Sequence, residues 1–207
     1  MTPRLGGEGL AYRAAKRALD VVCAAAALAL LAPVLAATAL AVKLSSPGPA
    51  LFRQRRVGRN GQIFEILKFR SMRTGMAGLA VTAGGDARVT PLGRLLRRSK
   101  VDELPQLWNV LVGEMSLVGP RPEVPRFVAR FPRDYARILA VRPGITDDTA
   151  LAFLDEEAIL ASAPDPEAAY VERVLPAKIA SYHRYLARRS LRTDLGILLR
   201  TAAALLR

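Results

Sequence analysis

"VVCAAAALALLAPVLAATALAV", residues 21–42, is an uncharged run bounded by Asp20 and Lys43. About 20 such residues suffice for a helix to cross a hydrocarbon core. Pro33 stands near the middle. It lacks a backbone donor and disfavours helix at Ala32, so a kink or break is expected there. Positive charge flanks both ends: Arg13, Lys16 and Arg17 before, Lys43, Arg53, Arg55 and Arg56 after. A spanning helix normally carries its excess Lys and Arg on the cytoplasmic side alone. Three readings stand: a spanning helix, a cleaved signal peptide using the small residues of "LAATA", and a helix that dips into one leaflet and returns. The apolar run is long for a signal peptide, and charge on both flanks favours the re-entrant helix, broken at Pro33. Carbonyls freed at such a break need internal partners.

Outward from that segment the chain is strongly basic. Its 207 residues carry 31 Lys and Arg against 18 Asp and Glu, a net charge of +13. The sequence pI is about 10.9. The expected partners are therefore anionic: nucleic acid, phospholipid headgroups or phosphorylated substrates. A single cysteine, Cys23, excludes an intrachain disulfide and a cysteine-cluster zinc site, and a single His183 argues against a histidine metal site or a Ser-His triad. Chemistry here must run on carboxylates, Lys, Arg or Ser. Aromatic residues make up 6%, few beside the basic runs for a surface that stacks bases, so nucleic acid is not the expected partner, and a membrane-anchored nucleic-acid-binding or noncatalytic scaffold protein is the alternative reading.

"GPALFRQRRVGRNGQIFEILKFRSM" reads as a β-hairpin turning at Asn60-Gly61. In its second strand Phe64, Ile66, Lys68 and Arg70 share one face, opposite Ile63, Glu65, Leu67 and Phe69. Glycine-rich residues 74–90 read as a loop. "PLGRLLRRSK" reads as a short basic amphipathic helix, with Leu92, Leu95 and Leu96 on one side and Arg94, Arg97 and Arg98 around them. Such a helix suits either an anionic membrane surface or plain solvent.

Next comes "SKVDELPQLWNVL", residues 99–111, with two adjacent acids. Leu104, Leu107, Trp108 and Leu111 are spaced as one apolar helix face that stops at Gly113. Asp102 then suits the N-cap, with Pro105 in the first turn. The chemical alternative rests on the surrounding cations: Lys68, Arg70, Arg94, Arg97, Arg98, and Arg121 held between Pro120 and Pro122. Fixed cations beside a carboxylate suit phosphoryl chemistry, in which the carboxylate can be the nucleophile. Adjacent acids do not readily flank a glycosidic bond. One nucleophile plus one Mg²⁺ ligand is the better fit to the pair.

Several stretches together resemble the monotopic phosphoglycosyl transferases among the bacterial sugar transferases. These are "KRALDVV" before an apolar segment with a central proline, "SSPGPALFRQRRVGRNGQIFEILKFRSM", "DARVTPLGRLLRRSKVDELPQLWNVLVGEMSLVGPRP" and "VRPGIT". The resemblance implies transfer of a sugar-1-phosphate from a UDP-sugar to polyprenyl (undecaprenyl) phosphate, the first membrane step of glycan assembly. Asp102 would attack the β-phosphate and UMP would leave. It further implies Glu103 as Mg²⁺ ligand and assistant at the same phosphate, and Lys68, Arg97 and Arg121 as phosphate or nucleotide contacts. Arg142 of "VRPGIT" is a weaker candidate. The implied fold is α+β and mainly helical: a re-entrant membrane helix within residues 1–45, then a cytoplasmic catalytic domain over 46–207, with a small hairpin and interfacial amphipathic helices. The implied place is the cytoplasmic face of the inner membrane, and a homodimer would be compatible with it.

Two departures stand out. Ala32-Pro33 replaces the Ser-Pro common in the family, so no hydroxyl helps at the break. After "RPGIT" the chain reads "DDTALAFLDEEAIL", where relatives carry a Gly-Leu-x-Gln stretch and a downstream Gly-Arg-Asn. Asp147, Asp148, Asp155, Glu156 and Glu157 there read as solvated acidic surface, with sugar recognition the alternative. Residues 166–207 read as two helices, the first interrupted near Pro176, the second aligning Leu191, Leu195, Leu198 and Leu199 among basic residues. His183 reads as an ordinary polar helix residue and Cys23 as a small apolar group.

Overall fold

The computed structural model describes residues 9–74, 85–149 and 160–205. Helix α1 (Leu10–Ser45) contains the apolar run. The hairpin is β1 (Leu51–Val57) and β2 (Ile63–Phe69), paired antiparallel from Leu51↔Phe69 to Val57↔Ile63. Asn60 and Gly61, at φ 58° and 77°, supply the left-handed turn that matches strand twist. Then follow α2 (Pro91–Arg98), a 3₁₀ turn (Val101–Glu103) and α3 (Gln106–Val112). Two three-residue strands, β3 (Ser116–Val118) and β4 (Gly144–Thr146), pair in parallel around α4 (Pro125–Val128) and α5 (Pro132–Ile138). The chain ends in α6 (Pro166–Ala169), a π-turn (Tyr170–Val174), α7 (Leu175–Arg188) and α8 (Leu191–Leu205). The architecture is thus α+β and mainly helical, as expected.

The expected break at Pro33 does not interrupt α1, which is one continuous helix with the proline inside. Both flanks of Pro33 nevertheless pack on the same body. Ala24, Ala27 and Leu28 join Phe64, Ile66, Leu107, Val110 and Met115. Leu35, Ala39 and Val42 join Phe69 and Leu96. A straight helix would separate Ala24 from Val42 by about 27 Å. Ile66 and Phe69, one in each cluster, are only about 10 Å apart along β2. Between the flanks Leu30 is 80% exposed and Val34 46%. A proline bends a helix by removing one bond and crowding the preceding turn, and here the turns around it project from the body.

Polar anchors fix the two limbs. Arg17 donates to the last carbonyls of α3, Val110 O at 2.7 Å and Leu111 O at 2.9 Å. Buried Asp20 accepts the Leu117 amide at 3.0 Å. At the other end Arg70 Nη2 donates to Val42 O and Ser46 O, at 3.0 and 2.6 Å. That guanidinium sits where helix carbonyls lack partners and the dipole favours a cation. Gly48, at φ 120°, lets the chain pass over Arg70, since a Cβ there would lie 2.4 Å from Nη1.

The main core gathers Phe127, Tyr135, Leu175, Tyr182, Tyr185 and Ile197. One sequence expectation needs correction. Trp108 is 53% exposed, and α3 instead buries Gln106, Leu107, Asn109 and Val110. The polar members of that face serve the hairpin: Asn109 Nδ2 donates to Glu65 O at 2.8 Å, and the Leu67 amide donates to Asn109 Oδ1 at 3.1 Å. The interruption expected near Pro176 is present as the π-turn over Tyr170–Val174, and Pro176 itself takes the first turn of α7, where a missing N–H costs little. On α8, Ile197 is fully buried while Leu195 and Leu199 are exposed, so packing on the core is not the role of those two leucines.

Candidate active site

Asp102 and Glu103 lie on the 3₁₀ turn, between Lys100 in the left-handed region (φ 57°) and Pro105 at the N-cap position of α3. The expected cap role for Asp102 is not found, because α3 starts too late and has no side-chain cap. Asp102 is 6% exposed, and its Oδ1 is buried with no hydrogen-bond partner among the described residues. An unpaired buried oxygen of this kind costs roughly 1–3 kcal/mol. Burial raises the Asp102 pKa; Lys68, Arg97 and Lys100 oppose that shift and Glu103 adds to it. The result is a carboxylate more basic than an ordinary aspartate, held close to cations without being tied to one.

Glu103 is in the opposite condition. Lys68 Nζ donates to its Oε1 at 2.9 Å, Arg121 Nη1 to its Oε2 at 3.1 Å, and Arg121 Nη2 to Oε1. The fork geometry of Arg121 is the strong, orienting kind of carboxylate contact. Burial alone would raise the Glu103 pKa, but Arg121 and Lys68 together hold it well below the usual range. Burial lowers the Lys68 pKa against the pull of Glu103. Glu103 raises that of Arg121 further still. Lys68 arrives from the β2 face it shares with Phe64 and Ile66, and Arg121 from the loop after β3.

The structure thus brings together Lys68, Asp102, Glu103 and Arg121, with Arg97 close enough to act on Asp102. It does not bring Arg142 there. Arg142 Nε donates to Gly113 O at 2.7 Å, and its charged neighbours are Arg17, Arg59 and Asp20. Glu103, the expected Mg²⁺ ligand, accepts from cations at both oxygens, Oε1 from Lys68 and Arg121 and Oε2 from Arg121 Nη1 alone. No group of three or more metal-ligating side chains occurs among the described residues.

Asp147 is missing from the sequence-derived set and corrects the reading of it as solvated surface. It is 2% exposed; its Oδ2 accepts the Arg121 amide at 3.1 Å, and its Oδ1 accepts from Thr149. Asp148 does reach the surface, pairing with Arg188 at 2.5 Å and Arg200 at 2.9 Å. Asp155, Glu156 and Glu157 lie outside the described residues. The signal for Asp147 was the parallel β3–β4 pairing, which sets Thr146 beside Val118 and so places the next residue against Arg121.

A buried carboxylate with an unpaired oxygen, set beside organised cations, is an arrangement suited to transfer of a phosphorylated group. Comparison with known proteins gives the family: a model described as bacterial sugar transferase matches residues 11–207, and the chain belongs to that family. A UDP-glucose:undecaprenyl-phosphate glucose-1-phosphate transferase of Caulobacter vibrioides is 44% identical over 216 residues, covering 100% of this chain and 76% of the relative. A UDP-N-acetylgalactosamine-undecaprenyl-phosphate N-acetylgalactosaminephosphotransferase of Aeromonas hydrophila is 46% identical over 140 residues, 65% of this chain and 33% of the relative. The UDP-glucose:undecaprenyl-phosphate glucose-1-phosphate transferase of Escherichia coli is 48% identical over 139 residues, 65% of this chain and 30% of the relative. The match therefore spans about three quarters of the Caulobacter relative and about a third of the other two.

Proposed function

We propose that this transferase moves a sugar-1-phosphate from a UDP-sugar to undecaprenyl phosphate through a covalent intermediate on Asp102. The observation that carries this reading is the contrast between the two acids: Glu103 is saturated by Lys68 and Arg121, and Asp102 Oδ1 has no partner. In the first step an Asp102 oxygen bonds to the β-phosphorus as the bond from that phosphorus to the bridging oxygen breaks, and UMP leaves with the bonding pair. In the second, a phosphate oxygen of the lipid attacks the same phosphorus, and the aspartyl–phosphorus bond breaks to restore the carboxylate. Lys68, Arg97 and Arg121 balance charge on the diphosphate in both steps. Glu103 holds Lys68 and Arg121 in place before substrate arrives, so the cations need no reorganisation during reaction. Mg²⁺, which the family resemblance implies, would be held at Glu103 and would add positive charge beside the diphosphate.

We place α1 in one leaflet with both ends on the cytoplasmic side, the bend at Pro33 deepest. Two facts support this: both limbs pack on one body, and the residues around Pro33 are exposed and apolar. The lipid phosphate then lies at the depth of the active site. Incubating the full chain with UDP-glucose or UDP-N-acetylgalactosamine and undecaprenyl phosphate should release UMP. Release of UDP instead would mean transfer of the sugar alone and would overturn the Asp102 mechanism.

A further inference from the structure

A second concentration of cations lies away from Asp102. Between the hairpin turn and the loop after α3 is a cleft of about 230 Å³, lined in part by Arg59, Ile63, Phe64, Glu114 and Arg142. Arg17 borders it from α1, its Nη2 lying 3.3 Å from where a Gly113 Cβ would stand. Arg59 and Arg142 both line the cleft, and burial, then Arg17, then Arg59 lower the pKa of Arg142, which thus has a like charge on either side. The nearby acids are already engaged: Asp20 by the Leu117 amide at 3.0 Å and Glu114 by Asn109 Nδ2 at 2.7 Å. Arg17 and Arg142 spend donors on carbonyls, but the Arg59 guanidinium has no hydrogen-bond or ion-pair partner among the described residues. Crowded guanidiniums on a concave surface select an anion with several acceptor oxygens.

The apolar surroundings narrow the choice of anion. Ile63 on the wall is 43% exposed, and Val112, next to Gly113, is 51% exposed. Arg17 stands one helical turn before the uncharged run begins at Val21. With α1 in the bilayer as proposed above, on which this inference rests, the cleft lies at headgroup depth. We propose that the Arg17–Arg59–Arg142 cleft binds the phosphate of an anionic membrane lipid, as a site separate from the Asp102 centre. Basic pockets beside membrane helices recognise anionic headgroups in this way, each nearby arginine contributing about fivefold in affinity.

The test uses the full chain in nanodiscs of mixed phosphatidylglycerol and phosphatidylcholine, with retained lipid counted by native mass spectrometry. Arg59→Gln and the double variant with Arg142→Gln are compared with wild type, and inorganic phosphate and UMP serve as soluble competitors. The Arg59 guanidinium holds no internal contact, so the single variant should fold normally. The expected result is one phosphatidylglycerol retained in preference by wild type, about fivefold less in Arg59→Gln and roughly 30-fold less in the double variant, with soluble anions unable to displace it. Equal retention by wild type and both variants, no preference for phosphatidylglycerol, or displacement by phosphate or UMP would each overturn the proposal. Failure of wild type to enter the discs would overturn the bilayer placement and this inference together. Entry without lipid preference would overturn this inference alone.

Discussion

Neutralising the two adjacent acids should have opposite effects on stability. Glu103→Gln removes the one negative charge that Lys68 and Arg121 share, at 2.9 and 3.1 Å. The side chains of the three residues are 22%, 29% and 15% exposed for Lys68, Arg121 and Glu103, so water screens the surviving like charges poorly. Removing one member of a buried pair costs about 3–5 kcal/mol. For a chain of this length that is a fall in melting temperature of roughly 6–20 °C. Asp102→Asn makes no such loss. The native aspartate has an unpaired oxygen and a raised pKa, so an uncharged amide of the same shape should leave the melting temperature unchanged or slightly higher. The same variant should release no UMP and trap no phosphosugar. Thermal unfolding of both variants in one detergent, alongside a UMP assay, decides the matter. Equal destabilisation by the two substitutions, or a Glu103→Gln protein that melts within 2 °C of wild type (well under the ~6 °C lower bound), would refute the division of roles.

Asp147→Ala should leave the Arg121 amide unpaired and lower kcat roughly 10- to 100-fold, through misplacement of the guanidinium, with a smaller change in KM. An unaltered kcat would remove Asp147 from the support of the site. UMP release should fall on the acid side at a pH above the ordinary aspartate value, since Asp102 must be ionised and burial raises its pKa; a limb at or below pH 3.8 would contradict this. The sign for stability differs at Glu103: its pKa is lowered, so its contribution is present above the unfolded value of about 4.5 and lost as pH falls through the lowered one, a loss that unfolding curves of Glu103→Gln should not show. In a cysteine-free background, cysteines at Leu10 and Gln62, both exposed, should resist labelling from outside intact cells. External labelling of either position would exclude the re-entrant placement of α1.

Much of this arrangement was legible in residues whose local physics is unambiguous. Asn60-Gly61 announces the turn, strand alternation puts Lys68 on the packed face, and 22 uncharged residues around Pro33 announce the long apolar helix α1. The errors have a common origin in tertiary contacts. Helical spacing assigns Trp108 to the core. The body is on the side of Asn109, whose amide bridges β2, so Trp108 turns outward. Composition assigns Asp147 to the surface, but the Arg121 amide and Thr149 take its charge inward. Arg142 lies in the "VRPGIT" motif, but its side chain donates to Gly113 O, in the cleft beside the hairpin turn.

Asp102 and Glu103 are adjacent on a 3₁₀ turn. With three residues per turn, neighbours diverge by about 120°, so adjacent carboxylates leave the backbone toward different surroundings. The turn exists because Lys100 takes a left-handed conformation after α2 and the Glu103 amide donates to Lys100 O at 3.1 Å. Pro105 then prevents that turn from merging with α3, since it supplies no amide to continue the ladder. One carboxylate is therefore directed into the grip of Lys68 and Arg121, and the other into a buried position with an unpaired oxygen. A longer spacing on a regular helix would bring both acids within reach of the same cations, and the pair would share its charge evenly. Backbone geometry, more than the identity of either acid, thus determines which carboxylate organises the cations and which one reacts.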